Sequence, residues 1–238
     1  MSAPSLRARV RTEMIEEIKA AARRRLAVDG ANLSLRGVAR DMGIVASALY
    51  RYFPSRDDLL TALILEGYES LGAAATSAAA TVAEDDYRGR WMAACTAVRD
   101  WALARPTEYG LLYGNPLPGY KAPQDTNLPA STVVLLLTDT ATAATAAGRI
   151  NPPPLPTPLP ARIRADLRVL IDQRAQAEQL TTDLPEETLD RVFAAWTQLF
   201  GLVGFEIFGR LEGIIEAPAD YFGHHMNLMA DLVGLPNA

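Results

Sequence analysis

Residues 33–60 read LSLRGVARDMGIVASALYRYFPSRDDLL. Ser34 is placed to cap a short helix that carries Leu35, Val38, Ala39 and Met42. Gly43 breaks that helix, and a second short one is expected from about Val45 to Tyr52. Phe53-Pro54 stops it, because the residue before a proline disfavours helical backbone. Ser55 opens a further helix, with Asp58 three residues on in the position of a capping box. Ala39 is small enough for two helices to approach, Gly43 allows the tight turn between them, and Leu49 packs the second on the first. Two short helices joined in this way form a helix-turn-helix, whose second helix enters the DNA major groove. The Ala–x3–Gly–x5–Leu spacing also occurs in ordinary helical hairpins, so by itself it leaves both readings open.

Upstream, Met14, Ile15, Ile18, Ala21, Ala22 and Leu26 recur at steps of three and four, one face of a helix that ends at Asp29-Gly30. Downstream the chain again reads as helices. Residues 73–83 are alanine-rich and suit a continuing helix or a loose connector. Trp91, Ala94, Cys95, Val98, Trp101 and Ala102 form one stripe. Residues 106–129 hold five prolines and read as irregular, with room for a short helix from Thr107 to Tyr113. Helices are expected over 131–147, over 161–179, from Pro185 along a stripe reaching Leu211, and from Pro218 to Val233. The proline run at 151–160 must be extended. No segment alternates as a strand does. The expected fold is all-α with about nine helices: a small three-helix head and a larger helical body.

Charge divides the same way. Residues 1–60 carry 11 Lys/Arg against 7 Asp/Glu, a net +4, whereas residues 61–238 carry 12 against 21, a net −9. A basic head on an acidic body fits a head that meets a polyanion, and it also fits chance clustering. Residues 1–10, with Arg7 and Arg9 and the adjoining Arg11, read as a basic arm that adds phosphate attraction, or as a solvated tail. With 49% hydrophobic residues in 238, the chain can bury a sizeable core. Its longest apolar runs fall far short of the about 20 residues a membrane span needs, and no secretory signal is visible. A lone Cys95 fits a reducing, cytoplasmic setting. There is no phosphate-cradling glycine loop and no metal-spaced Cys/His set. Only two histidines, His224 and His225, are present, so neither enzyme chemistry nor a cofactor is expected.

The run from Leu33 to Leu60 resembles the second helix, recognition helix and following helix start of the TetR family of bacterial transcriptional regulators, and the resemblance spans about residues 11–66. It implies a DNA-binding domain at 1–60 and a ligand-binding and dimerisation domain at 61–238. Arg56 stands where many members have lysine, which keeps the charge. Leu49 and Phe53, four apart, should face the head's core, leaving Tyr50, Arg51 and Tyr52 partly outward. Val45, Ala46, Ser47 and Ala48 are small, so the backbone can sit deep in the groove; valine or alanine suits a thymine methyl and serine several base edges. The resemblance places phosphate contacts at Tyr50, Tyr52 and Arg56, and second-helix contacts at Ser34 and Arg36. Arg51 is open between a base contact, a phosphate contact and none.

The body is similar to the WHG-type subclass of that family's C-terminal domains, through residues 101–109, 114–120 and 195–209. Candidate effector contacts are Trp91, Tyr109, Tyr113, Trp196 and Phe200, which combine bulk with a few polar tips; all five also suit an ordinary core. The family pairs its last two helices with those of a second copy. That assigns 188–215 and 218–233 to dimerisation, with Gly201, Gly204, Phe208, Leu211, Met226 and Met229 as candidate interface residues. Glu206, inside an apolar helix, suits a buried ligand contact or simple exposure, and is read as exposed. The whole implies a homodimeric regulator of a palindromic operator in double-stranded DNA, most often a repressor released by a small, largely apolar effector. The alternative is a regulator governed by a partner protein or by no ligand.

Overall fold

A computed structural model describes residues 6–154, 157–178 and 184–237. Among them are ten α-helices: α1 (Leu6–Asp29), α2 (Leu35–Asp41), α3 (Ala46–Leu49), α4 (Arg56–Ala80), α5 (Tyr87–Ala104), α6 (Pro106–Tyr113), α7 (Asn127–Ala146), α8 (Ala161–Glu178), α9 (Glu186–Ile207) and α10 (Pro218–Val233). The count exceeds the expected nine by the short α6. The alanine-rich stretch is helical to Ala80. α7 starts earlier than expected, because Pro129 lies in its first turn, where a missing N–H costs nothing. The segment expected as a basic arm is helical from Leu6 onward; residues 1–5 lie outside those described.

Contacts divide the chain into two compact units, each discontinuous in sequence. The first runs to Glu69 and adds Arg105–Ala130; the second comprises Ser70–Ala104 and Ser131–Ala238. A boundary at residue 60 cuts through the first. Its core is built from Ile18, Ala22 and Leu26 of α1, Val38 and Ala39 of α2, Leu49 of α3 and Leu59 and Leu60 of α4. Leu111, Leu117 and Tyr120 pack against the same core, and Tyr120 shares a hydroxyl–hydroxyl hydrogen bond of 3.0 Å with Thr61. Buried Gly37 sits mid-helix, where propensity disfavours it. A Cβ there would lie 2.4 Å from Arg25 Nε. The vacant side makes room for the Arg25 guanidinium, which donates to both Asp41 carboxylate oxygens at 2.7–2.8 Å and so ties α1 to the end of α2.

In the second unit, α9 packs against α5, α8 and α10, and α10 also packs against α5. Trp91, Val98, Leu137, Leu199, Val203 and Met226 are fully or almost fully buried. Several arginines tie the elements of this unit together, Arg88, Arg191 and Arg99 among them. Arg88 donates to the Leu235 and Pro236 carbonyls at 2.9–3.0 Å. Arg191, 5% exposed, donates to the carbonyls of Pro153 and Leu232. Arg99 makes a bidentate pair with Glu206, its Nε 2.8 Å from Oε2. Glu206 is therefore not an exposed carboxylate: it is largely buried and neutralised from α5. α9 ends at Ile207, short of the expected Leu211. Gly209 adopts φ +67°, while Arg210 N–H bonds Phe205 C=O and Gly209 N–H bonds Glu206 C=O. This pair of bonds is the Schellman ending that a left-handed glycine permits.

Candidate nucleic-acid interface

Local chemistry positions the helix-turn-helix. Ser34 is the N-cap of α2, its hydroxyl accepting from Gly37 N–H at 3.2 Å. At the far end Gly43 takes φ +67°. Ile44 N–H bonds Ala39 C=O at 3.0 Å and Gly43 N–H bonds Arg40 C=O at 3.1 Å, the Schellman pattern once more. Ala39, 1% exposed, lies at the crossing, and Leu49 is fully buried against the core. Phe53, four residues on, is buried too. Ser55 caps α4 as expected, Asp58 N–H donating to Ser55 Oγ at 3.1 Å, but the Asp58 carboxylate accepts from the Ser55 hydroxyl at 2.7 Å, so the pair is a side-chain cap and not the full reciprocal box.

With Leu49 and Phe53 turned inward, the opposite side of the recognition segment is outward. Val45 is 70% exposed and Tyr50 44% exposed, and Ser47 and Arg51 are exposed. Ala46 and Ala48 are half-buried, and Ala46 contributes to the core rather than only to the groove-facing side. On α2, Ser34, Arg36 and Arg40 are exposed. Tyr52 is half-buried, packed against the core, with the Arg11 guanidinium 5.2 Å from its ring centroid. Arg56 donates from Nε to the Leu33 carbonyl at 3.0 Å, fastening the start of α4 to the residue before the α2 cap. The surface this leaves has small and hydroxylated side chains in the middle and tyrosine and arginine around them. Such a surface matches base edges and phosphate oxygens.

The other candidate residues fall elsewhere. Tyr109 and Tyr113 belong to the first unit, and their rings lie 5.2 Å apart, with Tyr68 edge-on to Tyr113. Burial pushes the hydroxyl pKa values of both Tyr109 and Tyr113 up. Trp91, Trp196 and Phe200 belong to the second unit, with Trp196 edge-on to Phe193 and Phe200. The five effector candidates therefore do not fall in one compact unit. Among the interface candidates, Gly201 and Phe208 are exposed, Gly204 and Met229 half-buried, and Leu211 sits beyond the end of α9. Met226 is fully buried within its own protomer, where its side chain packs in the core. Sequence reasoning missed Arg25, Arg99 and Glu206 as partners. Only Gly37, placed mid-helix against its propensity, signalled that something must fill the space beside it.

The first unit thus contains a helix-turn-helix whose second helix presents Val45, Ser47, Tyr50 and Arg51 outward. Residues 18–63 match the family of bacterial regulatory proteins called the tetR family, and residues 91–229 match the tetracyclin repressor-like C-terminal domain. The HTH-type transcriptional regulators Rv1816 of Mycobacterium tuberculosis and Mb1846 of Mycobacterium bovis are each 34% identical over 195 residues, which is 79% of this chain and 78% of theirs. The crystal structure of SCO4313, described as a regulatory protein, superposes with a TM-score of 0.74 at 32% identity, covering 95% of this chain and 98% of that one. A tetR-family regulatory protein from Rhodococcus RHA1 shares the fold, with a TM-score of 0.62 at 19% identity over 94% of this chain and 98% of that one. The chain belongs to the TetR family and is a DNA-binding transcriptional regulator. Among the described residues, no helix is long and apolar enough to cross a membrane.

Proposed function

We propose that this regulator is a cytoplasmic homodimeric repressor that reads a palindromic operator with residues 1–60 and is released when a small, largely apolar effector binds residues 61–238. The observation that carries the DNA part is the outward set Val45, Ser47, Tyr50 and Arg51 on a segment locked from behind by Leu49 and Phe53. Ser34, Arg36, Tyr52 and Arg56 flank it as phosphate contacts, and Ala46 supplies close approach. Support for a dimer comes from α9 and α10. Phe205, Phe208 and Leu228 are 42–48% exposed, and a Cβ at Gly201 or Gly223 would meet nothing within 4 Å. Bare glycines on two neighbouring helices suit the close approach of helices from a second copy. Two copies would set their recognition helices about 34–36 Å apart, one turn of DNA.

Effector contacts are assigned to Trp91, Trp196 and Phe200. The indole N–H groups of Trp91 and Trp196 are buried and meet no acceptor among the described residues. A buried donor without a partner costs about 1–3 kcal/mol, which a ligand oxygen would recover. Release then requires only that the effector bind the non-operator arrangement more tightly than the operator-bound one.

The test is binding to double-stranded DNA from the region upstream of the protein's own coding sequence, followed by anisotropy across a salt series. Tight, salt-sensitive binding with two protomers per site is expected. Affinity equal to that for random DNA would place the operator outside that region or mean that an effector is already bound, and a one-protomer complex would remove the palindrome.

A further inference from the structure

The first two turns of α1 carry Leu6, Arg7, Val10 and Arg11, all exposed. Arg7 and Arg11 are four residues apart and so share one face of the helix. That face meets the end of the recognition segment. The Arg11 guanidinium lies over the Tyr52 ring, and Leu6, Arg7, Val10, Arg11 and Tyr52 line a groove of about 440 Å³. Tyr52 is itself packed against the core of the first unit, so the ring is a fixed platform. Arg9, on another face, is engaged by Glu13 at 3.8 Å. Among the described residues neither Arg7 nor Arg11 has a carboxylate partner within 4.0 Å.

A guanidinium held over an aromatic face by a cation–π contact is restrained in place while its N–H groups turned from the ring stay available to an anion. Such a fork matches phosphate oxygens better than a freely rotating cation does. We propose that Arg7 and Arg11 extend the DNA-binding surface onto α1 as a phosphate clamp built on Tyr52. The clamp takes the sugar–phosphate backbone beside the bases faced by α3, and it carries no sequence preference of its own. It rests on the DNA-binding function of the family and adds α1 to the elements of the surface that performs it.

The experiment uses the full chain and a random-sequence duplex of about 30 base pairs, where the phosphate contribution dominates. Anisotropy is followed from about 50 to 200 mM salt for the wild type, Arg7→Ala, Arg11→Ala and the double variant. Arg162→Ala, an exposed arginine on α8, is the control. Each clamp arginine removed should reduce the slope of log K against log salt by about 0.9 per bound copy. Over that fourfold salt range the variant then loses about 3.5-fold less affinity for each copy bound. Arg11→Lys should keep the slope but bind several-fold more weakly at every salt, because the ammonium lacks the planar fork. A double variant with unchanged helicity and the slope of the wild type, or of Arg162→Ala, overturns the clamp. Equal affinity of Arg11→Lys and wild type overturns the role of Tyr52 as its platform.

Discussion

Single side chains divide into those that read and those that hold. Ser47 is exposed on a helix whose neighbours on either side are half-buried alanines. Its hydroxyl is the group on that turn able to bond a base edge. Ser47→Ala should change preference at one operator position by about 1 kcal/mol while leaving affinity for random DNA unaltered. A competition assay over single-base operator variants measures this, and an unaltered preference would take Ser47 out of base readout. Gly234 holds. It closes α10 with φ +90°, and a Cβ there would stand 2.3 Å from the Pro152 backbone nitrogen. Gly234→Ala should cost about 1–2 kcal/mol for the left-handed backbone and about 1–3 kcal/mol more for the forced shift. Gly43→Ala meets open space and should cost only the backbone part. Urea unfolding of the two variants ranks them, and equal losses would show that the Pro152 contact yields freely.

Within the first unit the helices are joined by charge as well as by packing. Glu66 on α4 takes Lys19 at 2.7 Å and Arg23 at 2.5 Å, both from α1, and Arg23 lies 3.9 Å from Glu108 on α6. Burial alone would raise the Glu66 carboxyl; the hydrogen bond and charge of Lys19 and the charge of Arg23 outweigh it and hold it below its ordinary 4.5. For Lys19, burial works downward but is outweighed by Glu16 and Glu66, so its ammonium lies above 10.5. The signs then follow. The Glu66 contribution is complete above pH 4.5 and is lost as pH falls through the folded value. The Lys19 contribution is complete below pH 10.5 and is lost only in strong alkali. Glu66→Gln should therefore destabilise the protein at neutral pH, and its stability curve should converge on that of the wild type in acid. Unfolding measured from about pH 3 to 7 checks this; parallel curves would place the acid sensitivity elsewhere.

At the scale of the whole molecule the question is assembly. Gly201 is exposed and has room for a side chain in its own protomer. Gly201→Arg should leave the helical content intact and yield monomers, because a long cation would separate two apposed α9 helices and leave charge in their interface. Light scattering after gel filtration measures this, and an intact dimer would move the interface away from α9. Met226→Ala should not change association but should cost about 2–5 kcal/mol of stability, as expected of a buried core side chain.

Much of the head was legible without coordinates, because each decisive signal is local. The Ser34 cap, the left-handed Gly43, the Ser55 cap of α4 and the inward pair Leu49 and Phe53 depend on residues within one or two turns of each other, whereas α3, expected to run to Tyr52, ends at Leu49. The same local chemistry left Val45, Ser47, Tyr50 and Arg51 facing outward. What only the tertiary structure decided joins distant parts of the chain. The allegiance of 105–130 to the first unit depends on Leu111, Leu117 and Tyr120 finding a core formed some fifty residues or more upstream. The exposed-looking Glu206 is paired with Arg99, 107 positions away. The empty flank of Gly37 is a place for Arg25, and Met226 lies inside the protomer although its helix was read as an interface. Hydrophobic periodicity shows that a helix has an apolar face, but what covers that face is settled only by the packing of the whole chain.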